Sequence, residues 1–206
     1  MILDKALHDF LIIWATVDPI GTMALFAGLT AKHSAKERIK TAYKTILYAA
    51  LILTGAIVIG QVLLGAMGIS LFSFQIAGGL ILFLFGLQMI FSHGTSEEGA
   101  QEPRHDIAIF PLAIPATASP GAILAVILIT DNHTYSIHEQ FITTGSMLAV
   151  LGFTLIMLLF SEKIIRVIGM GGASLLTRIM GMILAALSVE FIVEALGLTE
   201  LISARL

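Results

Sequence analysis

Asp18 and Ser119 each stand directly before a proline that is followed, at once or after one residue, by a glycine, in the runs Val17-Asp18-Pro19-Ile20-Gly21 and Ala118-Ser119-Pro120-Gly121. Both runs sit inside apolar stretches, 101 residues apart. Proline removes an amide donor and obstructs the preceding helical turn, while glycine permits backbone angles that other residues resist, so each run predicts a helix that stops and restarts. A restarted helix presents unpaired N–H groups and the positive end of its dipole, with Asp18 or Ser119 placed to cap it. Such an end suits an anion, for instance a carboxylate. Asp18 has the opposite preference. It is the only charge between Asp9 and Lys32, and a carboxylate at membrane depth costs at least ~2.5 kcal/mol unless it is paired or used. Its candidate partners are a substrate ammonium, a sodium ion and a proton. Two anion-favouring helix ends beside one carboxylate match a zwitterion, which makes a small amino acid a chemically reasonable ligand. The substrate-binding candidates are therefore Asp18, Pro19, Gly21, Thr22, Ser119, Pro120 and Gly121.

Taken singly, either proline is explained by a kink, with Asp18 capping its own half-helix. A matched pair of breaks, one in each half, points instead to the binding site of a secondary transporter. Other polar residues in apolar surroundings extend the candidate pathway: Gln75, Gln88 and Glu190 join Asp18 as coupling or pathway groups. Thr16 and Thr117 are accounted for equally by interhelical hydrogen bonds, Glu194 by an interfacial position, and Pro111 and Pro115 by structure. Gly78, Gly79, Gly86 and Gly181 read as close-packing positions. The six histidines have no ligand spacing, so no metal site is expected. Phosphate-binding glycine loops, H-E-x-x-H and G-x-S-x-G are absent, which disfavours ATP drive and intramembrane hydrolysis. No cofactor, enzyme activity or nucleic-acid partner is expected.

The elements that hold these residues are membrane spans. The chain of 206 residues is 57% hydrophobic and 12% charged, about half the charge of a soluble domain, with mean hydropathy +0.98. Residues 46–92, 107–130 and 140–161 contain no Asp, Glu, Lys or Arg, and each stretch reaches the ~20 residues that cross a bilayer. Six spans follow, at about 7–30, 41–65, 69–92, 107–130, 138–161 and 177–198. The Gly/Ser-rich residues 65–70 divide the second from the third. Loops are expected at 32–40, 93–106 and 131–137. A signal peptide is a weak reading of the N-terminus, because its apolar run continues past Asp18.

Basic residues set the orientation. With both termini non-cytoplasmic, Lys32, Lys36, Arg38, Lys40, Lys44, Arg104, Lys163, Arg166 and Arg178 lie inside, and only Lys5 and Arg205 outside. Three spans per half would invert the second half relative to the first. Thr16 through Pro19 aligns with Thr117 through Pro120, and Gly79-Leu80-Ile81-Leu82 with Gly181-Met182-Ile183-Leu184 at an offset of 102, which also pairs Gln75 with Thr177 and Gln88 with Glu190. The expected fold is thus an all-α membrane protein of six transmembrane helices in two inverted three-helix repeats, 1–92 and 107–206, joined by a cytoplasmic linker at 93–106, with helices 1 and 4 broken. Oligomeric state is not legible.

Asp18-Pro19-Ile20-Gly21 with Phe26 and Leu29-Thr30, then Ile76-Ala77-Gly78-Gly79, Pro111-Leu112-Ala113-Ile114-Pro115, Ser119-Pro120-Gly121-Ala122-Ile123 and Thr177-Arg178-Ile179-Met180-Gly181 resemble, in order, the MarC/SnatA family of integral membrane proteins. The resemblance implies six helices in a prokaryotic inner membrane and a link to the LysE-like transporter superfamily. For some members it implies proton-coupled transport of glycine or alanine. Thr22 and Ala24 depart from the family's usual Asn and Pro, and Gln75 replaces its common Arg. The expected function is gradient-driven transport of small neutral amino acids by alternating access, with proton or sodium coupling. The alternatives are an exporter of amino acids or toxic compounds, by analogy with LysE, and a non-transporting membrane scaffold or sensor.

Overall fold

The computed structural model describes residues 2–91 and 106–198, in which helices are the only regular elements. The expected linker, apart from Asp106, lies outside the described residues, as do Arg104 and Arg205. Five helices are long and apolar enough to cross a membrane, and a sixth span is added when the bent pair Ala108–Thr117 and Pro120–Leu128 is counted as one.

The first span consists of α1 (Ile2–Val17) and α2 (Pro19–Leu29). Helix α1 starts well before the apolar run at residue 7, because its polar residues are satisfied. Lys5 pairs with Asp9 at 3.1 Å and lies 3.8 Å from the centre of the Tyr135 ring, and the buried Asp9 carboxylate accepts the Thr143 hydroxyl at 2.5 Å. Helix α3 (Ala35–Ala66) likewise takes in most of the expected loop at 32–40. There Ser34 and Glu37 form a reciprocal capping box that supplies the free N–H groups of the first turn. Gly68, at φ 67°, turns the chain into α4 (Leu71–Phe91).

The fourth span is the irregular segment Ala108–Thr117 followed by α5 (Pro120–Leu128), bent by 53° at Ser119. Phe110 and Ile114, each preceding a proline, take extended backbone angles, as residues before proline tend to. Helix α6 (Ile137–Leu159) opens on a second capping box, Ser136 with Glu139. Residues 162–176, between the expected fifth and sixth spans, belong to the next helix. In α7 (Ser161–Ala195) the helix resumes at once and is interrupted only at Gly169, whose φ of 69° favours glycine. Its membrane portion is Gly171–Ala195, which begins earlier than the expected 177 and takes in Arg178.

The two halves interlock. Helix α1 packs on α6, and the segment 108–117 packs on α3; α2 packs on α6 and α7, and α5 packs on α3 and α4. Helices α4 and α7 run antiparallel in close contact. A Cβ built on Gly86 would lie 2.7 Å from the Gly181 carbonyl, and one on Gly79 would lie 3.2 Å from the Ser188 carbonyl. The Gly79 position also meets Ile192 at 2.7 Å, and the Gly181 position meets Ile90 at 3.1 Å. Each contact becomes its counterpart when 102 is added to the α4 residue and subtracted from the α7 residue. Apolar clusters fill the interior, one around Ile13, Leu53, Val126, Met147 and Leu151, another around Leu82, Leu124, Leu184 and Phe191.

Candidate functional site

The two breaks meet in space. At the first, Asp18 takes the left-handed conformation (φ 46°, ψ 73°), a region that Asp tolerates better than most residues. Its Oδ1 accepts the Gly21 amide at 3.1 Å, and the Ile20 amide also faces the carboxylate. At the second break, Ser119 Oγ accepts the Ala122 amide at 2.9 Å and donates to the Thr16 carbonyl at 2.8 Å. That carbonyl is available because its regular helical donor, the Ile20 amide four residues on, faces Asp18 instead. In the opposite direction, Thr22 Oγ1 donates to the Ala116 carbonyl at 3.2 Å. Each break therefore supplies a hydroxyl that satisfies a carbonyl released by the other.

Glycine serves these breaks through space rather than through unusual backbone angles, which corrects the expectation for Gly21 and Gly121. The positive φ belongs to Asp18, and neither glycine has one. A Cβ on Gly21 would collide with the Asp18 carboxylate, so glycine lets the carboxylate fold over the start of α2. A Cβ on Gly121 would collide with the Leu82 side chain.

A cavity of about 390 Å³ opens beside the breaks. Asp18, Gly21, Thr22 and Ser119 line it, together with Gln88, Thr177, Thr16, Leu25, Leu82, Phe85, Met89, Leu184, Pro111, Pro115 and Ala116. Among its described lining residues Asp18 is the one ionisable group, and it is 9% exposed. Pro19 is buried, Pro120 is exposed and Gly121 is buried beneath Leu82. None of these three lines the cavity. The expected pathway set also divides. Gln88 lines this cavity, whereas Gln75 and Glu190 line a second one of about 320 Å³ on the side of the chain ends, where Gln75 donates to Glu194 at 3.2 Å. Thr16 and Thr117 spend their hydroxyls on carbonyls of their own segments, at Ile12 and Leu112. The half-helix ends are not free either, since Gly21 and Ala122 already bond the caps.

Sequence reasoning missed the apolar wall of the cavity, because Leu25, Phe85 and Met89 are indistinguishable in composition from lipid-facing residues. Asp9 was also overlooked, since a charge near the end of a span reads as interfacial. Its partner Thr143 is 134 residues away.

Comparison with known proteins agrees with this architecture. The family model described as "MarC family integral membrane protein" matches residues 3–200. A UPF0056 membrane protein of Methanocaldococcus jannaschii is 36% identical over 190 residues, covering 89% of this chain and 92% of that protein. The UPF0056 inner membrane protein MarC of Salmonella arizonae is 34% identical over 200 residues and 90% of each chain, and that of Citrobacter koseri is 33% identical over the same extent. No solved structure matches the chain at a significant level. With two broken spans meeting at Asp18 and Ser119 inside an otherwise apolar bundle, and with a family match along nearly its whole length, the chain belongs to the MarC family of integral membrane proteins, as a multi-pass protein of the inner membrane.

Proposed function

We propose that this protein is a secondary transporter of small neutral amino acids such as glycine and alanine, coupled to protons and working by alternating access about the two breaks. The observation that carries this reading is Asp18, a buried carboxylate on the wall of a cavity at the meeting point of two helix starts. The cap amides offset part of the cost of burying this charge, and a substrate ammonium or a proton would offset the rest. Because Gly21 and Ala122 are engaged by their caps and the Ser119 proton goes to the Thr16 carbonyl, the substrate carboxylate falls to side-chain donors, the Gln88 amide and the Thr177 hydroxyl, within the positive field of α2 and α5. No covalent chemistry or cofactor enters.

The recurrence of α4–α7 contacts at an offset of 102 supports a chain built of two inverted repeats. Lys32, Lys36, Arg38, Lys40, Lys44, Lys163 and Arg166 gather at the end of the bundle away from both described chain ends, where Arg38 pairs with Glu162. This supports an orientation with both termini non-cytoplasmic.

The test is uptake of radiolabelled glycine and alanine into proteoliposomes, with and without an imposed proton gradient, for the unaltered protein and Asp18→Asn. Gradient-stimulated uptake that disappears in the variant is the expected result. No uptake by monodisperse, correctly inserted protein overturns the substrate assignment, and full gradient-stimulated uptake by Asp18→Asn overturns the role of the carboxylate.

A further inference from the structure

The second cavity shares no lining residue with the first, yet on α4 and α7 the two are lined by offset counterparts. Gln88 and Thr177 of the first cavity stand 102 residues from Glu190 and Gln75 of the second. Phe85 and Met89 of the first bear the same relation to Leu187 and Phe191 of the second. Leu82 and Leu184 are each other's counterparts, and both lie in the buried apolar cluster on the wall of the first cavity. They mark the centre about which the α4–α7 contacts exchange.

The partition between the cavities is thin. On α1, Thr16 lines the first and Ile12 the second, a separation of four residues or about 6 Å of helix. On α7, Leu184 and Leu187 stand in the same relation, about 4.5 Å apart along the axis. The partition is filled by interlocked leucines, with Leu124 of α5 occupying the space that a side chain at Gly78 would need and Leu82 of α4 the space that one at Gly121 would need. Leu82 and Leu124 are each 1% exposed, and Leu184 is 3% exposed.

We infer that the two cavities are the two ends of one path through the protein, and that Leu82, Leu184 and Leu124 form the barrier between them. The correspondence explains why polar residues too few to serve a single binding site occur in offset pairs. It also separates Gln75 and Glu190 from the substrate site and makes them the entrance on the opposite face. This inference rests on the transport reading for what moves along the path, but the barrier itself is testable without a substrate.

The chain contains no cysteine, so single cysteines report without background. Gln75→Cys and Gln88→Cys would be exposed to a membrane-impermeant maleimide in sealed right-side-out and inside-out vesicles. Without substrate or gradient, so that the protein stays in the conformation described, each is expected to react from one face only, and the two from opposite faces. Adding Leu82→Ala with Leu184→Ala to Gln88→Cys is expected to produce labelling from the face that was previously silent. Leu124→Val, a milder truncation, gives a second route to the same gain if the double variant does not fold, with retained labelling of the Gln88→Cys thiol from its original face as the check on folding. Reaction of both cysteines from the same face, or folded barrier variants that stay silent from the opposite face, overturns the inference. Labelling as expected without amino acid uptake by the unaltered protein would leave the path standing and reject the substrate; uptake by the unaltered protein without the labelling pattern would do the reverse.

Discussion

The hydroxyl of Ser119 donates to the carbonyl oxygen of Thr16 at 2.8 Å, and through that bond the break in one half of the chain is fastened to the break in the other. The same hydroxyl oxygen accepts the Ala122 amide and caps α5. Ser119→Ala removes both interactions. Loss of the cap costs about 1 kcal/mol, and the buried Thr16 carbonyl left without a donor adds ~1–3 kcal/mol. Ser119→Thr keeps a hydroxyl at the same position and is expected to recover most of the difference. Thermal unfolding of the two variants in detergent, side by side with uptake, checks this. Equal melting of Ser119→Ala and the unaltered protein would remove the staple from the account.

Gly21 and Gly28 occupy the same helix but face different surroundings. A Cβ at Gly21 runs into the Asp18 carboxylate, whereas one at Gly28 meets nothing within 4 Å. Gly21→Ala is expected to push the carboxylate off its cap and abolish gradient-driven uptake. Gly28→Ala is expected to leave uptake intact and raise stability by up to ~1 kcal/mol through helix propensity. If both substitutions have the same effect on uptake, the placement of Asp18 does not depend on Gly21.

Much of this arrangement was legible in the sequence, for reasons particular to a membrane. Proline and glycine have few uses inside a span, so the breaks at Asp18 and Ser119 stood out against an apolar background, and the glycines at 79, 86 and 181 announced close packing. Charge runs were less informative. Lys36, Arg38 and Lys40 lie in helix rather than loop because Ser34 and Glu37 cap it, and α1 admits Lys5 and Asp9 because Tyr135 and Thr143 receive them. Those partners lie on other elements, where single-sequence periodicity carries no signal. The division of Gln75 from Gln88 was hidden for the same reason. Both are lone amides on one apolar helix, and only the crossing of α4 over α7 assigns them to different cavities.

Asp106 precedes the irregular segment and bonds Lys44 at 2.6 Å, and that hydrogen bond, with help from the Ala108 amide, holds its carboxyl below the ordinary value of 3.8. A carboxyl lowered on folding adds stability that is complete above its unfolded value and is lost as pH falls through its folded value. The window is therefore acidic, below about pH 4. The side chains of the pair are 39% and 36% exposed, so solvent screening keeps its contribution small. Asp106→Asn is expected to melt slightly lower near neutral pH, with the two melting curves converging as the pH is brought below that window's upper edge. A gap that persists or widens in acid would show that Asp106 acts through something other than its charge.

Helices α4 and α7 pack backbone to backbone at Gly86, where a Cβ would lie 2.7 Å from the Gly181 carbonyl and 2.9 Å from the Ala185 amide nitrogen. Both are backbone atoms of a packed helix, so neither can yield as a side chain would. Gly86→Ala must push the helices apart, which opens the contacts of Gly79 with Ser188 and Ile192 further along the same seam. Gly181→Ala meets the reciprocal obstacle, the Gly86 carbonyl at 2.7 Å. Overpacking of this kind costs about 1–3 kcal/mol, and each substitution is expected to lower the melting temperature by a similar amount. Because the second alanine enters a seam that the first has already opened, the double variant should lose less than the sum of the two singles, the non-additivity expected of contacting residues. Gly55→Ala in α3, which meets nothing within 4 Å, serves as the control for simple gain of helix propensity. Additive losses at 86 and 181 would mean that the two glycines act at separate places, and that the shared crossing of α4 and α7 is not what their small size protects.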